Sequence, residues 1–330
     1  MENKKNKRFL FFNFNKNKKD AVEESRKPTF LFFFKLFFRK FPQLLSLNLL
    51  MLFQVLPIVV ILLIYFIGEK APTTMNVLFA PLYGIDKLSS SSADVSALLD
   101  MSSIQMGLPV FSPTMIYIII ALIVFLAVTW GWQNVGATYV LRGLVRGDAV
   151  FVFSDFFYAI KRNFKQGFFL GLIDFAICVI LGIDFTFFYS QSGSFGLDFM
   201  YVMIFALIII YFVIRFYIYL LLTTFELKNF KILKNALIFS ILGIKRNILA
   251  VLGIVLLTVI HAALILVLIP IGISLSIVIP LFYLMAATAF MAAYAAYPII
   301  DRYMIAPYVK KEEENEDFEY FKESEESENE

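Results

Sequence analysis

The stretch DFFYAIKRNFKQGFFLGLIDF, residues Asp155 to Phe175, decides the fold. It places Lys161, Arg162 and Lys165 within five positions, at the lip of a long apolar run that contains Asp174. Upstream, Phe153, Phe156, Phe157, Ile160, Phe164 and Phe168 recur at intervals of three and four, which is one face of a helix. Ser154, Asp155, Lys161, Arg162, Lys165 and Gln166 fall on the other face, and Ser154 or Asp155 is placed to accept an orphan backbone N–H at the start. A helix of this kind lies in the membrane interface, aromatics in the acyl boundary and bases among lipid phosphates. Each base beside an anionic leaflet contributes about 1 kcal/mol. The stretch therefore predicts an elbow helix, clamped to the membrane surface just before a span.

The same arrangement occurs twice more. Phe33-Phe34-Lys35-Leu36-Phe37-Phe38-Arg39-Lys40 precedes one apolar run and Ile244-Lys245-Arg246-Asn247 precedes another, so three units of elbow, outward span and returning span are expected. A span needs about 20 apolar residues. Six are expected, at 44–67, 113–135, 167–189, 199–222, 247–268 and 273–296, and reading the last two as one broken stretch would give five. In 330 residues, 60% are hydrophobic and 39 are Phe, with a mean hydropathy of +0.78. An ordinary soluble domain is nearer half apolar, so the class is an all-α polytopic membrane bundle.

The net charge of +3 hides a segregation. Twelve Lys or Arg crowd the first 43 residues, five each fall in 142–166 and 223–246, and the segment 68–112 holds only Lys70 and Lys87. The positive-inside rule then predicts both termini in the cytoplasm and a multi-pass protein of the plasma membrane, facing an anionic inner leaflet. The expected organisation is a basic disordered arm over 1–27, an interfacial helix over 28–43, a membrane domain over 44–309 with an outer loop at 68–112 around Ser89 to Asp94, and an acidic disordered tail over 310–330. The tail, with Phe318, Tyr320 and Phe321 embedded in it, could fold back on the arm or the elbows, although such tails are usually solvated spacers. One cysteine, Cys178, and one histidine, His261, predict no disulfide and no multi-His metal site. No phosphate loop, nucleophile elbow or zinc spacing occurs, so no cofactor, metal or catalytic residue is expected. A basic arm without a folded reader module gives no expectation of nucleic-acid binding.

Ionisable residues at membrane depth mark sites by default. Asp174 falls about 10 Å into the third span and Arg215 at a matching depth in the fourth. Antiparallel neighbours at that depth predict an intramembrane ion pair, whose plainest role is to fix the register of two helices. Asp184 and His261 lie deeper and form a conceivable second pair. The plainer arrangement has Asp184 at the outer interface and His261 satisfied by a neighbouring carbonyl. Asn48, Gln54, Gln133 and Asn134 are candidates for interhelical hydrogen bonds, and Trp130, Trp132 and Tyr139 for an interfacial belt. Lys161, Arg162, Lys165, Lys245 and Arg246 form the expected lipid or partner surface.

Leu47-Asn48-Leu49-Leu50 with Leu56-Pro57-Ile58-Val59, and above all the run from Gly136 to Gln166, resemble motifs of the YesL-like bacterial integral membrane proteins. The second motif is a Gly-Ala-Thr turn, a basic stretch, Asp-Phe-Phe and Lys-Arg-Asn-Phe-Lys-Gln. About eighty residues separate the two motifs, which lie almost adjacent in that family. The resemblance implies an all-helical membrane domain of no established activity, associated with carbohydrate uptake. The expected function is thus a non-enzymatic accessory or regulatory protein partnered by a membrane transporter or sensor. The alternative is a small-solute transporter or channel lined by Asp174, Arg215, Asp184 and His261.

Overall fold

The computed structural model describes residues 29–68, 70–72, 107–191, 193–268 and 275–308. The basic arm, the serine-rich part of the outer loop, the 269–272 turn and the acidic tail lie outside the described residues. The described chain is helical apart from one short ribbon. Helix α1 (Phe30–Arg39) leads through Lys40 into α2 (Phe41–Ile67). Strands β1 (Lys70–Pro72) and β2 (Gly107–Pro109) then pair antiparallel, Lys70 opposite Pro109. Next come α3 (Pro113–Arg146), α4 (Val152–Arg162), α5 (Phe164–Ser190), α6 (Phe195–Thr224), α7 (Asn229–Leu242), α8 (Ile244–Leu268) and α9 (Leu275–Ile300). A π-helical turn, Asp301–Ile305, follows. Six helices (α2, α3, α5, α6, α8 and α9) are long and apolar enough to cross a membrane. Their outward faces, with Ile183, Ile210, Leu256 and Val259 about half exposed, need a lipid solvent.

Three elbows precede three outward spans, and each pair is joined by a single bent residue. Lys40 (φ −98°, ψ 7°), Asn163 (φ −111°, ψ 25°) and Gly243 (φ −90°, ψ 10°) all occupy the bridge region. The hydrogen-bond ladder continues through each bend. The N–H of Lys40, Asn163 and Gly243 donates to the carbonyls of Leu36, Ala159 and Phe239, and their own carbonyls accept from Leu44, Gly167 and Asn247. Leu36, Ala159 and Phe239 are all buried, so each elbow presses its last turn inward. The bend turns the axis without orphaning a backbone group, which hydrocarbon would penalise.

The units close into a ring. The returning helices α3, α6 and α9 pack on one another at the centre, and each outward span fits beside two of them: α2 between α9 and α3, and α5 between α3 and α6. Helix α8 lies along α9 and reaches α6 at its elbow end, where Tyr217 donates to Asn247 at 2.8 Å. Each elbow leans on the returning helix of the preceding unit: α4 on α3 and α7 on α6. Helix α1 closes the circle on α9, with Phe33 and Phe37 against Phe290 and the Tyr294 hydroxyl donating to the Thr29 carbonyl at 2.7 Å. The core sits at the elbow end, in Val135 to Leu144, Phe216 to Thr223 and Ala286 to Tyr297.

The closest approach is between α3 and α5. Gly167 and Gly171 stand four apart on α5, and a Cβ placed on Gly131 would lie 2.7 Å from the Gly171 Cα and collide with the Gly167 carbonyl. Small residues at this spacing let two backbones touch, which is how helices associate where no hydrophobic drive exists between them. Gly136 serves the elbow in a similar way, since a Cβ there would strike the ring of the buried Phe156.

Several expectations need correction. Helix α3 does not stop at Val135 but continues to Arg146, so Arg142 belongs to a buried helix rather than a loop. The interfacial helix over 28–43 is divided at Lys40, and Phe164 and Phe168 fall beyond the bend at Asn163, on the span. Ser154 does not cap α4; Asp155 accepts the Phe151 N–H at 2.8 Å instead. Trp130 turns inward to the buried Asp174, while Trp132 donates to the Phe164 carbonyl beside the bend and Tyr139 lies under the Arg162 guanidinium. Periodicity sees a helix's pattern but not the neighbour that receives it.

Candidate functional site: a braced carboxylate beside an axial cavity

Asp174 lies on α5 one turn beyond Gly171, where the close packing on α3 brings Trp130 within reach. Its carboxylate is 2% exposed, and four side chains donate to it. Tyr211 donates to Oδ1 at 2.7 Å; Trp130 Nε1 and the Tyr219 hydroxyl each donate to Oδ2 at 2.7 Å. Arg215 Nε lies 2.8 Å from Oδ1 and 3.1 Å from Oδ2. The Cys178 thiol approaches Oδ1 at 3.9 Å. Tyr211, Arg215 and Tyr219 are spaced by four on α6 and so share one face, turned to α5. The structure thus brings Asp174 and Arg215 together and adds three donors that sequence reasoning missed. The spacing of Tyr211, Arg215 and Tyr219 was the available signal for two of them.

Asp184 and His261 are not brought together. His261 faces α9, its Nδ1 2.8 Å from the Leu257 carbonyl and its Nε2 against the Tyr283 hydroxyl. Among the interhelical amides, Asn48 is fully buried; it donates to the Leu281 carbonyl at 2.5 Å and accepts the Ala286 N–H at 2.8 Å, tying α2 to α9. Gln133 donates to the Leu50 carbonyl, but Asn134 turns back to Trp130 of its own helix, and Gln54 Nε2 is buried without a partner.

The basic surface is only partly a surface. Lys161, Arg162, Lys165 and Lys245 are exposed and Arg246 is half-buried. Arg162, on that surface, extends its guanidinium over the Tyr139 and Tyr158 rings and donates to the Thr223 carbonyl at 2.8 Å. Arg142, buried on α3, donates to the same carbonyl at 2.6 Å and to Thr224 Oγ1 at 3.1 Å. Two cations thereby cap the C-terminus of α6, where the helix dipole is negative. Arg246 donates to the carbonyls of Tyr294 and Ala295 inside α9, where Pro298 has no N–H to offer the Tyr294 carbonyl. Carbonyls left over by a helix end or by a proline supply the reason: in a water-poor site they need donors, and arginine reaches them.

Arg215 also lines a cavity of about 270 Å³ between the three returning helices. Asn134, Thr138 and Leu141 contribute from α3, Phe212 to Leu220 from α6, and Met285 to Ala293 from α9, with Met51 and Ile254 at the sides. Toward the elbow end of the same helices Leu144, Tyr217, Leu221 and Ala296 are fully buried, Tyr217 against Asn247 of α8. Among the described residues no cluster of His, Cys, Asp and Glu is arranged to hold a metal ion.

Residues 111–185 match the family described as "Protein of unknown function, DUF624". That span contains α3, α4 and most of α5, and with them Trp130, the glycine contact and Asp174; Arg215 lies beyond it. No curated protein and no solved structure matches the chain.

Proposed function

We propose that this protein is a non-enzymatic, integral membrane accessory or regulatory protein, acting beside a membrane transporter or sensor for carbohydrate. One observation carries the reading: the buried carboxylate and three of the arginines are spent on the fold. Asp174 serves four donors, Arg142 and Arg162 the end of α6, and Arg246 two carbonyls of α9. Such a bundle is a stiff scaffold rather than a conduit. The YesL-like resemblance, whose central motif lies inside the matched residues, supplies the carbohydrate context. Exposed Lys161, Lys165 and Lys245 sit at elbow ends, where an anionic inner leaflet attracts them, which orients both termini to the cytoplasm.

Arg215 on the cavity wall favours a second reading, a small-solute transporter. The two separate cleanly. The purified chain is reconstituted alone in vesicles and assayed for uptake of labelled mono- and disaccharides, while the tagged chain is isolated from native membranes and its companions are identified. The accessory reading expects no flux and a transporter or sensor subunit in the isolate. Saturable uptake by the chain alone, with no such companion, would overturn it.

A further inference from the structure

Arg215 is half used. Arginine carries five N–H donors in a rigid fork, and only Nε–H meets an acceptor among the described residues, the Asp174 carboxylate. The guanidinium is held over the Trp130 ring at 5.4 Å, and the side chain is 23% exposed where it borders the cavity. Asp174 does not depend on Arg215 alone, because Trp130, Tyr211 and Tyr219 also donate to it. The fork therefore leaves an unmet demand for oxygen acceptors, at a depth where such demands are costly.

Most other polar groups of the lining are committed: Asn134 donates to the Trp130 carbonyl, Thr288 to the Met285 carbonyl and Tyr219 to Asp174. Thr138 adds a single hydroxyl. The lining suits one charged end and an apolar remainder, and lacks the spread of donors and acceptors that a sugar ring would require. A cation is disfavoured by Arg215 itself. The volume, some nine times the roughly 30 Å³ share of a water molecule, takes a small head group and the first methylenes of a chain.

We propose that the axial cavity binds the head of an anionic amphiphile, its carboxylate or phosphate oxygens on the two Nη groups of Arg215 and its chain among Met51, Phe212, Ile254 and Met285. A planar fork meeting an oxyanion is among the strongest neutral-pH contacts available to a side chain. The proposal is independent of the accessory role, and either can fail alone.

The chain carries its own reporter. With Trp132→Phe, Trp130 is the sole indole, and it lies against the Arg215 guanidinium. Delipidated protein in detergent is titrated with 9,10-dibromostearate, whose bromines quench indole fluorescence. Native mass spectrometry of the unsubstituted chain follows the same ligand. Saturable quenching and a bound adduct are expected. Arg215→Lys, which keeps a cation for Asp174 but loses the fork, raises the half-saturation concentration about tenfold, the worth of one charge-assisted hydrogen bond. Ala289→Leu fills the cavity without touching the ion pair and abolishes both signals. Equal quenching by a brominated alcohol of the same length, or no effect of Ala289→Leu, would overturn the proposal. Displacement of the bromolipid by millimolar inorganic phosphate would make this a site for a free anion and would overturn it too.

Discussion

Asp174→Asn tests the brace most sharply, because the two side chains have the same shape. Oδ2 accepts from Trp130, Tyr219 and Arg215, whereas Oδ1 accepts from Tyr211 and pairs with the Arg215 charge. The amide must turn its remaining oxygen toward Trp130, since the indole N–H cannot become an acceptor whereas the Tyr211 hydroxyl can rotate to accept from the new NH₂. Local hydrogen bonding therefore largely survives. What is lost is the countercharge of Arg215, and breaking a buried pair from one side costs about 3–5 kcal/mol. Adding Arg215→Gln removes the stranded cation, so the double variant is expected to be at least 1 kcal/mol more stable than the two single losses added together. Equilibrium unfolding in mixed micelles, followed by tryptophan fluorescence, measures all three variants. Strict additivity would refute the argument, as would an Asp174→Asn protein as stable as the parent.

Three further outcomes are expected. Gly171→Ala forces α3 and α5 apart, since the new Cβ would collide with the Gly131 backbone, where non-bonded carbons sit about 3.5–4.0 Å apart; it should destabilise the fold by about 1–3 kcal/mol and weaken cross-linking between cysteines placed on those helices. Asn48→Ala removes the bonds to the Ala286 N–H and the Leu281 carbonyl that tie α2 to α9 and should cost about 1–3 kcal/mol, whereas Asn134→Ala, losing only a bond within its own helix, should cost less in the same unfolding assay. In a Cys178→Ser background, a cysteine replacing Lys165 should resist an impermeant thiol reagent applied to intact cells, and one replacing Ser194 should react; the reverse pattern would invert the threading.

Much of the fold was legible because lipid imposes length and polarity rules that composition obeys openly. The six spans, the first two basic aromatic elbows and the matching depths of Asp174 and Arg215 are consequences of one-dimensional pattern, whereas Ile244 to Asn247 lies beyond the bend, on α8, and the third elbow is the helix Asn229–Leu242 before it. What escaped was whatever depends on a partner. Gly131 and Gly171 lie forty residues apart, and nothing in either run says which faces the other. Arg142 reads as a loop base because positive charge marks a membrane exit, yet the orphan carbonyl of Thr223 draws it inward. Arg246 turns to carbonyls of α9 for a similar reason, and Arg162, although exposed, lays its flat fork against two rings and a helix end, which the lysines beside it cannot do. Trp130 was mistaken for an anchor because aromatic residues near a span's end usually are one, and the carboxylate that claims it sits on another helix.

The circular order of the elbows bears on biogenesis. Since α1 rests on α9, the first of the described helices to leave the ribosome must wait for the last of the described spans, and the Thr29–Tyr294 bond joins residues 265 positions apart. Until then Phe33 and Phe37 have only bilayer to lie in, and the nascent protein is an open arc with two unmatched ends. Sealing that arc is a single late event, so a chain stalled before α9 would present an aromatic edge to any quality-control protease able to survey the membrane.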